Sequence, residues 1–219
     1  MKGIPLSLLR AINLSHSYGN FQALAPTDLA LNAAEIAVLE GPNGSSKSTL
    51  MLCLSGLMRP TTGEIFVDGY DLFEDEPNAK RALAFMPDVP RFYTELTALE
   101  HLRFLALAHD AEDDFDTRAE TLMREFGLWD KRDMLPHYYS RGMSLKLGLL
   151  CVLIRPFKVM LLDEPTSALD SDSIQLFIRH LSELSNRGVA ILLSTHDPSL
   201  KDGLADRVYF LNNGVLSAG

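Results

Sequence analysis

Between residues 41 and 49 the chain reads Gly41, Pro42, Asn43, Gly44, Ser45, Ser46, Lys47, Ser48, Thr49, a spacing suited to holding phosphate. Successive backbone N–H groups at the start of a helix form an anion cradle, and the helix dipole reinforces it. An ammonium at Lys47 reaches β- and γ-phosphates, and a hydroxyl at Ser48 can ligate Mg²⁺. The usual form of this loop ends Gly-Lys-Ser/Thr, and here Ser46 stands where the second glycine belongs. The competing reading is a helix-capping turn that merely contains Gly and Lys. Context weighs against it: the apolar run Ile36, Ala37, Val38, Leu39 precedes the loop, and an apolar helix-like stretch from Leu50 follows. A buried strand, a loop and a helix are what the motif requires.

A second pair of chemically capable residues ends another apolar run. Val159, Met160, Leu161 and Leu162 lead into Asp163 and Glu164. Ligands bind beyond the carboxyl ends of strands in parallel sheets. At such an end Asp163 can hold Mg²⁺ through water, and Glu164 can polarise an attacking water as general base. Taken alone, two acids closing a strand are common. With a phosphate loop upstream they are a catalytic pair.

The surrounding elements alternate. Strand-like patterns cover residues 8–14, 29–31, 36–40 and 64–67, helical periodicity covers 98–109 and 115–126, and strands and helices alternate again from 158 onward. Asn213-Gly214 marks a closing hairpin after 207–211. The pattern predicts an α/β fold with a largely parallel sheet covered on both faces, interrupted by a helical lobe. The acidic tract at 110–114 reads as a solvated loop and helix start.

Composition bounds the rest. The 219 residues suit one large domain, or one with an inserted subdomain, and 47% are hydrophobic. Acids exceed bases 29 to 20, for a net charge of −9, a poor match for nucleic acid. Cys53 and Cys151 lie far apart in apolar runs, without metal-ligand or disulfide spacing. The first five residues lack the apolar core of a signal peptide. The longest apolar stretch, 147–154, is broken by Gly148 and far too short to span a bilayer.

In their order along nearly the whole chain, these motifs resemble the ATP-binding subunit of an ABC transporter. Tyr18 resembles the aromatic residue that stacks on adenine. Tyr139, Ser140, Arg141, Gly142 and Met143 resemble the family signature, whose serine and second glycine face the γ-phosphate bound by the opposite subunit. Ser167 to Asp170 resembles the D-loop, and His196, after the apolar run 189–194, the switch histidine. The resemblance implies a P-loop NTPase core of mixed, largely parallel sheet. It adds an antiparallel N-terminal β-subdomain and an inserted α-helical subdomain at about 88–155, all within one domain over 1–219. It also implies ATP and Mg²⁺ as ligands, a paired identical or similar subunit, membrane-spanning permease partners on the cytoplasmic face, and no nucleic acid.

This chain departs from the family pattern at three places. Ser46 replaces a glycine, and is strained only if the backbone there has positive φ. Asp88 stands where the family places Gln against the metal or attacking water. Tyr139, Arg141 and Met143 replace the commoner Leu, Gly and Gln of the signature, in a form similar to some exporter-type subunits. The alternatives are a degenerate module that binds ATP as a switch, favoured only by Ser46 and Asp88, or a soluble ABC ATPase acting on DNA, ribosomes or cluster assembly.

Overall fold

The computed structural model describes residues 7–218, apart from the Ser199 side chain. The first five residues, read above for a signal sequence, lie outside the described residues. The chain forms two compact units. One gathers the residues up to Phe85, Phe157–Glu164 and everything from Leu181, and the other gathers Met86–Pro156 and Pro165–His180.

The first unit holds two sheets. β1 (Ser7–Tyr18) turns at Gly19-Asn20 into β2 (Phe21–Asn32), and the two pair antiparallel along their whole length. Both are longer than their apolar stretches indicated, because polar residues are absorbed at an irregular register. At Asn13, with φ 48°, the strand bulges, and its N–H donates to the Asp28 carboxylate at 2.7 Å. After β3 (Ile36–Glu40) and α1 (Lys47–Leu54), β4 (Thr62–Val67) joins the other edge of β1, and the two-residue β5 (Tyr70–Asp71) completes a four-stranded antiparallel sheet in the order β2-β1-β4-β5.

α2 (Glu76–Ala82) and β6 (Leu83–Met86) follow, neither signalled by periodicity in so short a run. The second unit then contributes α3 (Ala98–Ala108), α4 (Phe115–Glu125), two 3₁₀ turns at Trp129–Lys131 and Pro136–Tyr138, and α5 (Arg141–Leu153). A capping box starts α3: the Glu100 N–H donates to Thr97 Oγ1 at 3.3 Å, and the Thr97 N–H to Glu100 Oε2 at 2.8 Å. α4 turns Phe115, Ala119 and Met123 inward, as its 3.6-residue spacing requires. The acidic tract before it is the connecting loop, with Asp110 and Asp114 both left-handed.

β7 (Val159–Asp163) returns the chain to the first unit. α6 (Ser171–Asn186) starts in the second unit and passes into the first at Leu181, and β8 (Ala190–Ser194), the short α7 (Pro198–Asp202), β9 (Arg207–Asn212) and β10 (Val215–Ala218) complete the first. The second sheet has the order β10-β9-β3-β8-β7-β6. β3, β7, β8 and β9 are mutually parallel, and β10 is antiparallel, joined to β9 through the positive-φ pair Asn213-Gly214. Every residue of β7 and β8 is buried, which explains their unbroken apolar sequence. Leu39, Leu50, Met51, Leu54, Leu161 and Leu192 form the centre of this unit's core.

Candidate nucleotide site

Register gathers the first unit's candidate residues at one end of the parallel sheet. Leu39 on β3 and Asp163 on β7 both lie opposite Ser194 on β8, so the loop after β3, the acids after β7 and the residues after β8 leave the sheet side by side.

The loop after β3 is tightly built. A Cβ at Gly41 would lie 2.1 Å from the Leu211 carbonyl oxygen, so only glycine fits. The Ser45 N–H donates to the Pro42 carbonyl at 3.1 Å. Gly44 and Ser46 both adopt φ 81°, and left-handed residues interleaved in a turn direct N–H groups into one concavity. Ser46 is the N-cap of α1 but its hydroxyl caps nothing, which leaves the first-turn N–H groups without that partner. The Ser45 hydroxyl is buried with no hydrogen-bond partner among the described residues. Lys47 is only 8% exposed, and its ammonium donates to the carbonyls of Gly41 at 2.7 Å and Pro42 at 3.3 Å. Open N–H donors, a buried orphan hydroxyl and a buried cation fit a polyphosphate. The left-handed Ser46 answers the question left by the sequence: the position takes positive φ, and serine is strained there by about 1–2 kcal/mol.

Ser194, which no sequence motif marks, organises the acids. Its hydroxyl donates to Asp163 Oδ1 at 2.6 Å and accepts from the Glu164 N–H at 3.0 Å. The only signal was a hydroxyl ending an otherwise apolar strand. Glu164 is itself left-handed, with φ 48°. Its Oε1 lies 3.3 Å from His196 Nε2, with the carboxylate mostly buried and the imidazole exposed. Asp163 is 5% exposed, and a buried carboxylate with the exposed Ser48 hydroxyl is the donor set Mg²⁺ uses alongside substrate phosphates. Tyr18 is half-exposed beside the loop helix, its hydroxyl 3.4 Å from Thr49 Oγ1 and its ring edge-on to His16.

The other candidates lie in the second unit. Ser140 is the N-cap of α5, and its Oγ accepts from the Met143 N–H at 3.2 Å. A Cβ on Gly142 would come 2.8 Å from the Ala168 carbonyl oxygen, so close approach of two backbones requires glycine there. Asp170 Oδ1 accepts from the Ser173 N–H at 2.9 Å, and its Oδ2 from Lys146 Nζ at 2.8 Å. The Lys146 bond, with the Ser173 N–H, holds the Asp170 carboxyl well below the usual carboxylate range. Asp88, expected beside the metal, has its Oδ1 engaged by the Arg141 guanidinium at 3.4 Å and the Ser167 hydroxyl at 3.3 Å. Neither Arg141 nor Ser167 was singled out as a site residue from sequence.

A family model described as ABC transporter matches residues 24–167. The SkfA peptide export ATP-binding protein SkfE of Bacillus subtilis is 32% identical over 96% of this chain and 88% of its own. The arginine transport ATP-binding protein ArtM of the same organism is 26% identical over 95% of this chain and 89% of its own. A solved structure of the ATP-binding subunit of an ABC transporter superposes with a TM-score of 0.90 at 31% identity, over 97% of this chain and 90% of that one. With a family match over most of its length and a relative 32% identical along 96% of it, the chain belongs to the ABC transporter family, as an ATP-binding, ATP-hydrolysing subunit.

Proposed function

We propose that two copies of this chain, or this chain and a similar subunit, close head to tail around ATP and so drive membrane-spanning permease subunits at the cytoplasmic face, in the direction of export. The observation that carries the hydrolytic part is the Ser194 hydroxyl, which fixes Asp163 and the Glu164 backbone through one atom. The name of SkfE, a peptide export protein, supports the direction.

In this reading the loop from Gly41 to Thr49 wraps the phosphates, Lys47 shifts from the Gly41 carbonyl to the β- and γ-phosphates, and Tyr18 stacks on adenine. Ser48 and Asp163 would hold Mg²⁺, which would supply charge neutralisation to the phosphates. Glu164 accepts a proton from the attacking water, and His196 orients that carboxylate. Ser140 and Gly142, with Asp170 near the interface, address the γ-phosphate held by the other subunit. Closure is favoured because those contacts exist only in the closed state, and hydrolysis removes them.

The Glu164→Gln variant tests this directly. It should bind ATP, lose turnover by at least 100-fold on the order expected for a general base, and sediment as a dimer only with ATP and Mg²⁺. A monomer that hydrolyses ATP at the wild-type rate would remove both Glu164 and the sandwich from the reading. The strained Ser46 favours one second reading, an ATP-binding switch with little turnover, and wild-type ATP binding without hydrolysis would select it.

A further inference from the structure

Two of the residues at which this chain departs from its family meet each other. Arg141 Nη2 donates to Asp88 Oδ1 at 3.4 Å and to Ser167 Oγ at 3.2 Å, while Ser167 Oγ donates to the same Asp88 oxygen at 3.3 Å. Arg141 is the first residue of α5. A cation in the first turn of a helix faces the positive end of the dipole and is unfavourable unless an anion lies close by. Asp88 supplies that anion, which a neutral glutamine at position 88 would not. Arg141 at that position is unfavourable by itself, and Asp88 offsets it.

We infer that Asp88 and Arg141 form, with Ser167, a latch that positions the start of α5 against the segment around Ala168. The pieces it ties are those that need placing. Ser140 caps α5 directly before Arg141, and Gly142 lies so near the Ala168 carbonyl that no side chain fits. One turn further on, Lys146 binds Asp170 on the same segment, so α5 grips that segment at two points. The Arg141 pair is the weaker: it spans 3.4 Å between partners 64% and 41% exposed, against 2.8 Å and partners 18% and 59% exposed for Lys146 and Asp170. Exposed pairs are readily exchanged, which makes this a catch that opens rather than a fixed brace. Asp88 and Arg141 are thereby positioning residues. The bearing on catalysis rests on the role proposed for Ser140, but the latch itself does not.

Amide hydrogen exchange on the nucleotide-free chain tests the latch without reference to ATP. Asp88→Asn and Arg141→Gln should each speed exchange at 140–144 and 166–169 by about two- to fivefold, the range an exposed pair allows. The double variant should show no more than the larger single effect, and the charge swap Asp88→Arg with Arg141→Asp should restore most of the protection. Additive effects, or no change in either single variant, would overturn the latch. A second readout separates it from the metal role expected for Asp88. The Mg²⁺ concentration for half-maximal ATPase should be the same in Asp88→Asn and Arg141→Gln. A large rise confined to Asp88→Asn would assign that carboxylate to the metal and overturn the proposal. Wild-type protein without ATPase activity would instead count against the proposed function, with the exchange data still deciding the latch.

Discussion

At position 46 a serine occupies a backbone conformation that glycine adopts freely, with φ 81° and ψ 23°. Ser46→Gly removes a Cβ penalty of about 1–2 kcal/mol and adds about 0.5–1 kcal/mol of unfolded-chain entropy. The first outweighs the second, so the variant should gain about 0.5–1 kcal/mol in urea denaturation and bind ATP more tightly. Ser46→Ala keeps the Cβ and should gain nothing. Equal stability in all three proteins would show that the loop bears no strain. Glu164 is the other left-handed non-glycine residue at the site, and its N–H is held by both the carbonyl and the hydroxyl of Ser194. Non-glycine residues in this region cluster at functional sites because the surroundings hold them there. Here that holding is visible atom by atom.

Among the elements, α3 depends on its start. Its capping box satisfies an N–H at each side of the junction, and Thr97→Ala should cost about 1 kcal/mol, read as a lowered denaturation midpoint with Glu100 left in place. An unchanged midpoint would mean the box is redundant with tertiary contacts. This helix was legible in the sequence from its apolar spacing, as were α4, β3, β7 and β8. What the sequence hid were elements whose positions are set by distant partners. β2 carries Pro26, Thr27 and Asp28 through its middle because β1 bulges to receive the Asp28 carboxylate, and no local pattern encodes that exchange. β6 is four residues long and α7 five, too short for periodicity to speak. The site divides the same way. Lys47, Asp163, Glu164 and His196 stood out because motif and setting coincide. Ser194, Arg141 and Ser167 did not, since their roles arise from pairings 26 to 79 residues apart in sequence.

For the molecule as a whole, stability should depend on alkaline pH through a buried thiol. Cys53, near the end of α1, is fully buried in the core, and burial pushes its pKa up to about 11. The unfolded thiol ionises near 8.5, so the folded state keeps its proton over a range where the unfolded state loses it. Stability therefore falls as pH rises from about 8.5 towards 11, by up to about 1.4 kcal/mol per pH unit. Urea midpoints for wild type and Cys53→Ala across that range check it, and the variant should show the shallower slope. The strand order has another consequence, one in time rather than in space. β3, which carries the phosphate loop, is among the first strands made, yet its two neighbours in the sheet are β8 and β9, made about 150 residues later. A nascent chain halted before Ala190 holds every residue from Gly41 to Thr49 and neither strand that anchors their base. Because such distant pairing must wait for strands made late, the base of the phosphate loop is anchored only after β8 and β9 have been synthesised.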